Sequence, residues 1–334
     1  MKSLKNALLA LAVLYASASL CLAADSATMQ AAVVAGATIR IQTLPRPSAA
    51  AGQLLVAVNF AGVNPGDWKY ASGRPEGENF AEENSAIPGL DGSGVIAAVG
   101  AGVAGFRRGE PVMFWSPRRG TYAQYVAVST ETVVAKPDSL SFEQAAGLAH
   151  ASLAAWNMLI DTAHVRSGQI VLVLGGAGGV GSAAVQIAAN KGAHVIATAS
   201  GRNVEYLKSI GAERVIDYTR EHFEDQVRNA DIVLDTVDAD NAFRGLAVLR
   251  RGGFLVSVAG LPPAAQCAER AVTCSGRTLR GTSVTAALQQ LADWAQAGRY
   301  RVNIDQVFSL SEVGKAWGYS QSGHTRGKSV IRID

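Results

Sequence analysis

The chain is poor in the residues that build metal centres and disulfide frameworks. It has 3 cysteines and 5 histidines in 334 residues. Cys21, Cys267 and Cys274 show no CxxC or Cys/His spacing, and the histidines stand apart from one another. The sequence therefore predicts no zinc site and no disulfide scaffold.

Charge is sparse as well. Charged residues make up 17% of the chain, the net charge is +3, and the 30 Lys and Arg form no run of five or more. This pattern argues against a nucleic acid partner. An apolar fraction of 49% over this length is enough for two domains with cores of their own.

The N-terminus has the layout of an export signal. Lys2 and Lys5 precede an apolar stretch over 7–23, and Asp25 follows it. We expect residues 1–23 to be a signal peptide cleaved after Ala23, which places the protein in an exported or periplasmic compartment. Two alternatives stay open, an uncleaved membrane anchor and translation from Met29 that leaves the protein cytoplasmic.

The rest of the chain divides into two patterns. From residue 29 to about 134, short alternating runs such as "TIRI" and "TYAQYVAV" are separated by Gly and Pro, which predicts a β-rich, barrel-like domain. From residue 141, strand and helix patterns alternate, as in "QIVLVLG", "SAAVQIAANKG" and "HVIATAS". This alternation predicts an α/β domain with a parallel sheet.

The stretch "LVLGGAGGVGS" (172–182) lies between an apolar strand and an alanine-rich helical pattern. Gly176, Gly178 and Gly181 match GxGxxG in that context, with Gly179 and Val180 between them. Gly176 is expected to form the tight turn, Gly178 to let the backbone approach a pyrophosphate, and Gly181 to pack helix on strand. The alternative is a glycine-rich turn without a ligand.

The next strand indicates which dinucleotide is bound. An NAD site is expected to have an acidic residue about 20 positions further on. The segment "VIATASGRN" has Ser200 there, followed by Arg202, whose guanidinium suits a 2′-phosphate. We therefore expect NADPH, unless Arg202 is simply a solvated loop charge.

Ordered motifs along 29–333 resemble the medium-chain dehydrogenase/reductase superfamily, in its zinc-independent quinone oxidoreductase and enoyl reductase branch. They include "VNPGDWKYASG", "IPGLDGSGVIAAVGAGVAGFRRGEPV", "GTYAQYVAV", "GGAGGVGSAAVQIA", "GAERVIDY" and "GHTRGKSVIRI". The resemblance implies a GroES-like catalytic domain (29–150), an inserted Rossmann domain (151–285) and a return segment (286–334) that completes the first domain. It also implies a homodimer joined near "RTLRGTSV".

The resemblance implies roles for individual residues. Asn64, Asp67 and Lys69 are expected near the nicotinamide and the substrate, and Tyr218, Ser200 and Asn203 in the 2′-phosphate pocket. Relatives often have a lysine where Asn203 stands. At 64–67 and 89–94, where zinc members have a cysteine and a GHE motif, both the thiolate and the imidazole are missing.

The implied function is hydride transfer from NADPH to a small-molecule quinone or enone. Hydrogen-bond donors must then stabilise the substrate oxygen without metal, and Lys69, Asn64 and Tyr70 are the candidates. The alternative is a dinucleotide-binding protein without catalytic activity.

Several residues also have structural interpretations. Asn64, Pro65 and Asp67 together suit the start of a short helix. Asp91 is expected to be a turn residue, and Trp68 and Tyr70 line a cleft or fill a core.

Cys267 and Cys274 form a bridge if their Cα atoms lie within about 7 Å. Otherwise they are unrelated thiols, which is the alternative we favour.

Overall fold

The computed structural model describes residues 27–35, 38–72, 87–276 and 281–333. Its strands are β1 (Thr28–Ala35), β2 (Thr38–Pro45), β3 (Gln53–Gly62), β4 (Asp91–Val99), β5 (Pro111–Trp115), β6 (Tyr125–Ser129), β7 (Val133–Ala135), β8 (Ile170–Leu174), β9 (His194–Ala199), β10 (Arg214–Asp217), β11 (Ala230–Asp235), β12 (Leu249–Ser257), β13 (Thr273–Gly276), β14 (Ile304–Ser309) and β15 (Lys328–Arg332). Its α-helices are α1 (Pro65–Ala71), α2 (Phe142–Trp156), α3 (Gly179–Asn190), α4 (Val204–Ser209), α5 (Phe223–Gln226), α6 (Ala239–Gly245), α7 (Ala264–Glu269), α8 (Val284–Gln296) and α9 (Val313–Gln321).

The predicted signal peptide, 1–23, lies outside the described residues. In the part of the chain that the structure describes, no helix has both the length and the apolar character that crossing a bilayer requires.

A seven-stranded sheet forms the first domain, in the order β14-β15-β3-β4-β5-β7 with β6 also paired to β3. Strand β3 pairs antiparallel with β4 along its length, with β6 at one end and with β15 at the other. The C-terminal strand therefore completes a sheet that begins about 270 residues earlier, at Gln53. This agrees with the predicted GroES-like domain.

A six-stranded parallel sheet forms the second domain, in the order β10-β9-β8-β11-β12-β13. Its central strands β8 and β11 read as nearly continuous apolar runs because helices cover both faces. This strand order is that of a dinucleotide-binding Rossmann fold, with the switch point between β8 and β11. The predicted α/β fold class is confirmed.

One hydrophobic cluster crosses from the first domain to the second. It contains Met113 of β5 and Leu148 of α2 together with Val173 of β8 and Ala184 of α3. Separate clusters fill the interior of the first domain and the other face of the parallel sheet. Since α2 packs on both sheets, the boundary between the domains is a shared core.

A disulfide closes one edge of the parallel sheet. Cys267 of α7 is bonded to Cys274 of β13, with their Cα atoms 6.2 Å apart. The interpretation as two unrelated thiols is therefore wrong: the short segment between them folds back, so the Cα distance falls within bridging range. Strand β13 is the outer strand of this sheet among the described residues.

Candidate active site

Helix α1 is held from its first turn by Asp67. One carboxylate oxygen, Oδ2, accepts the backbone N–H of Asn64 at 2.8 Å and the hydroxyl of Tyr122 at 2.9 Å. The other oxygen, Oδ1, faces the guanidinium of Arg119 at 3.7 Å. Arg119 also donates to the carbonyl of Gly66 at 3.2 Å. Asp67 is fully buried, so this carboxylate fixes α1 from beneath.

The side-chain amide of Asn64 is part of a second buried set of contacts. Its Nδ2 donates to Asp91 Oδ1 at 2.7 Å and makes a longer contact of 3.5 Å to the carbonyl of Gly62. Its Oδ1 accepts from the ammonium of Lys328 at 2.5 Å. The expected capping role is thus divided: Asp67 satisfies the Asn64 backbone, while the Asn64 side chain turns toward Asp91 and Lys328. Its direct contact with substrate stays a prediction.

The prediction that Asp91 is a turn residue is wrong. It is the first residue of β4 and is fully buried, and its Oδ2 accepts the backbone N–H of His150 at 2.9 Å. Gly62 makes room for it, since a Cβ there would lie 2.5 Å from Asp91 Oδ1. The glycine that follows Asp91 allows close approach of β3, since a Cβ at Gly92 would lie 2.9 Å from the carbonyl oxygen of Phe60.

Burial dominates the titration of these groups. The pKa of Asp67 is raised from 3.8 to about 6, chiefly by desolvation and also by nearby Asp91, against the lowering by its hydrogen bonds and by Arg119. Desolvation also raises the pKa of Asp91 and lowers the pKa of Lys328. The pKa of Tyr122 lies well above its ordinary value, chiefly through burial. The site holds two carboxylates, Lys328 and Arg119, so its charges balance.

Lys69 and Tyr70 lie in the last turn of α1. The ring of Tyr70 stacks with the guanidinium of Arg119, 4.1 Å from the ring centre. The ammonium of Lys69 lies 5.8 Å from the ring centre of Trp68, whose Nε1 donates to Ser320 Oγ at 3.3 Å. Lys69 therefore belongs to the helix that the buried network holds at its first turn. Its catalytic role and that of Tyr70 stay predictions.

The glycine loop fits a phosphate. Gly178 is the N-cap of α3 and no acidic residue lies in the first turn. The first intrahelical bond is donated by Ser182 to Gly178, so the N–H groups of Gly179, Val180 and Gly181 have no helical acceptor. Such N–H groups at the positive end of a helix form an anion site. The loop thus has the donors that a pyrophosphate requires.

The glycines of the loop form the turn together. Gly178 donates its N–H to the carbonyl of Gly175 at 3.2 Å, so Gly176 lies at a central position of the turn, as predicted, while Gly175, with φ of 76°, takes the left-handed conformation. Gly176 also lies against the next strand, since a Cβ there would be 2.9 Å from the Cβ of Ala197. The role of Gly181 is confirmed, since a Cβ there would lie 2.1 Å from the carbonyl oxygen of Gly175. The third glycine is what allows α3 to approach the turn.

The residues predicted for the 2′-phosphate gather at the carboxyl ends of β9 and β10. Asn203 is buried and donates to Ser200 Oγ at 3.2 Å. Arg202 is exposed and donates to the carbonyl of His324 at 3.0 Å, and Tyr218 is 60% exposed. A guanidinium, a hydroxyl and an exposed ring therefore share this edge of the sheet, and their contact with a 2′-phosphate stays a prediction.

Sequence reasoning missed three residues near these sites. Lys328 bonds to Asn64, and Arg326 lies near Tyr319. The pKa of Tyr319 is raised, chiefly by its hydrogen bond to Asp305, and Arg202 and Arg326 oppose that rise. Asp217 ends β10 so close to Gly201 that a Cβ there would be 2.7 Å from its carboxylate. Only Asp217 had a sequence signal, as an acidic residue at the end of the third strand.

The fold and the site together define a two-domain nicotinamide-dependent oxidoreductase, and family models support this class. An alcohol dehydrogenase GroES-like domain matches residues 50–138, a zinc-binding dehydrogenase domain matches 210–331, and an alanine dehydrogenase/PNT C-terminal domain matches 144–242.

Individual relatives agree. A 2-methylene-furan-3-one reductase of Solanum lycopersicum is 35% identical over 294 residues, which cover 84% of this chain and 71% of the relative. A chloroplastic NADPH-dependent alkenal/one oxidoreductase of Arabidopsis thaliana is 32% identical, over 84% and 72%. The structure of a quinone oxidoreductase from Coxiella burnetii matches with a TM-score of 0.80 and 30% identity, over 92% of this chain and 98% of that one. The chain belongs to the medium-chain dehydrogenase/reductase superfamily, as its motifs predicted.

Proposed function

We propose that the protein is an NADPH-dependent reductase that transfers hydride, without zinc, to a quinone or to an α,β-unsaturated carbonyl. The observation that carries this proposal is the direct connection between the dinucleotide loop and α1. Gly327 donates its N–H to the carbonyl of Ala177 in the loop at 2.8 Å, and the next residue, Lys328, donates to Asn64 at the start of α1. A cofactor on this loop and a substrate beside α1 are therefore neighbours.

The bound dinucleotide supplies the hydride. The chain must then stabilise the negative charge that develops on the substrate oxygen. We assign this task to Lys69, because the donors of Asn64 are engaged within the protein. Asp67 and Arg119 hold the helix that carries Lys69, and Arg119 also fixes Tyr70 by stacking. A rigid helix under the donor keeps it aligned as charge develops.

The preference for NADPH over NADH rests on charge at the end of β9. Arg202 lies there and Arg326 lies nearby, and both act on Tyr319. Two carboxylates oppose them in part, but Asp217 is bonded to Thr219 and faces Arg220 at 3.7 Å, and Asp305 is bonded to the hydroxyl of Tyr319. The balance of these groups favours a 2′-phosphate.

The absence of zinc from the mechanism rests on the kind of side chains at the site. Asn64 and Asp91 bond to each other, and Lys328 brings an ammonium against them. A cation already fills the role of counter-charge, and an amide with an ammonium is a poor donor set for zinc. Among the described residues, no group of three or more His, Cys, Asp or Glu side chains could hold a metal ion.

The test is an assay of the purified protein with NADPH against a panel of quinones and 2-alkenals, with product analysis. We expect NADPH oxidation and a reduced C=C bond or a hydroquinone. NADPH quenching of tryptophan fluorescence without turnover would instead support the binding-protein alternative. Lys69→Ala should lower kcat by about 10²- to 10³-fold. Full activity in that variant would reject our assignment of Lys69.

We also propose that the protein is exported. The N-terminal pattern supports this, as does the Cys267–Cys274 disulfide, because disulfides persist in oxidising compartments. The mass of the N-terminal peptide from fractionated cells tests it, with Ala24 as the expected first residue. An intact Met1, or a start at Met29, recovered with the cytosol would reject export.

We further propose a homodimer formed along the edge of the parallel sheet. The outer strand β13 leads into the segment at 277–284 that the resemblance identifies, of which 277–280 lies outside the described residues. Light scattering at several protein concentrations tests this. A monomer mass throughout would reject it.

A further inference from the structure

Lys328 is a buried cation that makes two specific bonds across the first domain. It begins β15 and is 6% exposed. Its ammonium donates to the carbonyl of Val63 at 2.7 Å and to Asn64 Oδ1 at 2.5 Å. Val63 and Asn64 are the two residues that immediately precede α1, so the ammonium is attached to the entry of that helix.

The stem of the same side chain lies against the dinucleotide loop. A Cβ at Gly179 would be 2.9 Å from Lys328 Cδ and 3.3 Å from the carbonyl oxygen of Gly327. Gly179 is the first residue of α3, where the phosphate donors lie. Lys328 therefore contacts the loop with its stem and the entry of α1 with its charged end.

These contacts determine the orientation of Asn64. An ammonium can only donate, and an ionised carboxylate can only accept. The amide oxygen must therefore face Lys328 and the amide nitrogen must face Asp91, as the structure has them. Turning the amide over would place two donors together and two acceptors together, so Asn64 is fixed in one orientation.

Burying a lysine side chain at this position is energetically unfavourable. Burial penalises the charge, and an apolar side chain of similar volume in such a place is often neutral or stabilising. The entry of α1 is held by directed bonds: the ammonium of Lys328 bonds Val63 and Asn64, and the carboxylate of Asp67 accepts the backbone N–H of Asn64.

We propose that Lys328 is a positioning residue that couples occupation of the dinucleotide loop to the placement of α1, and so of Lys69. The inference rests on the proposed function, since it concerns the same site. A phosphate on α3 fixes Gly179 and the stem of Lys328 beside it. The ammonium then holds Val63 and Asn64, which set where α1 begins. The bond from Gly327 to Ala177 ties the backbone of β15 to the same loop.

Hydrogen exchange on the full-length protein tests the coupling without any assay of turnover. Saturating NADPH, confirmed by quenching of tryptophan fluorescence, should slow exchange of the α1 amides as well as those of the loop. Exchange in β2, which pairs with β1 in a two-stranded sheet separate from the two larger sheets, is the internal control. Protection confined to the loop, or no NADPH binding at all, overturns the proposal.

Variants then test whether Lys328 carries the effect. Lys328→Met should bind NADPH within about threefold of the parent, lose the added protection of α1, and have a kcat lower by about tenfold or more. Lys328→Arg, which keeps charge and donors, should recover part of the protection. Lys315→Met is the matched control, because Lys315 is an exposed lysine of the same C-terminal segment paired with Glu312.

A merely structural role predicts something different. It would lower the melting temperature of Lys328→Met while NADPH still protected α1 as in the parent, and that result overturns the proposal. Combining Lys328→Met with Asn64→Ala should lower kcat no further than the stronger single change, because the two act as one unit. Fully additive losses count against it. If Lys328→Met does not fold, hydrogen exchange of the parent and of Lys328→Arg, with and without NADPH, decides whether α1 is coupled to the loop.

The two proposals fail in different ways. NADPH-induced, Lys328-dependent protection of α1 with no turnover of any acceptor rejects the reductase and retains the coupling. Turnover of an acceptor, with hydrogen exchange in α1 unaffected by NADPH, rejects the coupling and retains the reductase.

Discussion

Tyr122 donates a 2.9 Å hydrogen bond to the carboxylate of Asp67, and neither side chain has any exposed surface. The carboxylate lies under α1 with Arg119 on its other side and Asp91 close enough to repel it. Burial outweighs the two hydrogen bonds and the arginine, which is why the pKa of Asp67 is raised to about 6. The carboxylate that supports α1 thus titrates close to neutral pH.

We predict that Asp67 makes the protein less stable as the pH rises from about 4 to about 6. In that window the native state holds the proton, because the pKa of Asp67 is raised, and the unfolded state, with a pKa of 3.8, has lost it. The free energy of unfolding therefore falls as pH rises, by at most about 3 kcal/mol for this group. Asp67→Asn should remove this contribution, as measured by urea unfolding across the window.

The comparison must be between parent and variant, because other carboxylates titrate too. The raised pKa of Asp91 acts in the same direction, while the lowered pKa values of Asp217 and Glu312 act in the opposite one. Asp138→Asn, at an exposed position, is the control. Identical pH profiles for the parent and Asp67→Asn would show that this carboxylate titrates normally.

Two glycines of the dinucleotide loop should respond differently to alanine. Gly178→Ala places a Cβ 3.7 Å from its nearest neighbour, so the fold should persist, whereas Gly181→Ala places one 2.1 Å from the Gly175 carbonyl. We expect Gly178→Ala to keep its melting temperature but bind NADPH at least about tenfold more weakly, since a methyl group obstructs the phosphate. Gly181→Ala should be unstable, by about 1–3 kcal/mol or more.

Gly318→Ala is the control for the general effect of removing a glycine. Gly318 lies inside α9 with open space around its Cα, so alanine should stabilise the protein by up to about 1 kcal/mol. A Gly178→Ala variant with unchanged NADPH affinity would mean that the phosphate does not approach this residue.

Local sequence patterns were enough to predict the fold class and the dinucleotide loop. The apolar run of β8, the glycines after it and the alanine-rich α3 are contiguous in sequence, so their periodicity predicts a strand, a turn and a helix. The helix start at Asn64, Pro65 and Asp67 was predicted for the same reason, because helix caps are local signals, whereas the place of Asn64 and Asp67 at the site came from the family resemblance. The change of pattern near residue 141 indicated where the second fold class begins.

What the sequence could not predict depends on distant residues. Lys328 and Asn64 are 264 positions apart, and no local pattern marks a lysine that will be buried. Asp91 was misjudged because its glycine neighbours are typical of turns, whereas its partners, Asn64 and the N–H of His150, come from other elements. The packing of Gly176 on Ala197 was likewise beyond prediction, because it depends on the neighbouring strand and not on the spacing of the glycines.

Arg202 should determine the preference for NADPH. Removing a charge-assisted contact to the 2′-phosphate in Arg202→Ala should weaken NADPH binding by roughly 1.5 to 3 kcal/mol and leave NADH nearly unchanged. Dissociation constants for both dinucleotides, from fluorescence titration, provide the measurement. Arg107→Ala is the control, since Arg107 is an exposed arginine of the other domain. Equal affinities of the parent for NADH and NADPH would refute the preference itself.

The disulfide should stabilise the edge of the parallel sheet that the proposed dimer uses. Cys267 and Cys274 are 7 positions apart, and a loop this short contributes about 2.5 kcal/mol on the chain-entropy estimate. The double change Cys267→Ser and Cys274→Ser should lower the free energy of unfolding by about that amount, and reductant should have the same effect on the parent. Reductant should leave the double variant unchanged, which makes that variant the control.

Mass spectrometry of protein purified without reductant should find the two thiols oxidised in material from the exported fraction. Free thiols in that fraction, or equal stability of the parent with and without reductant, would remove both the bridge and its support for export.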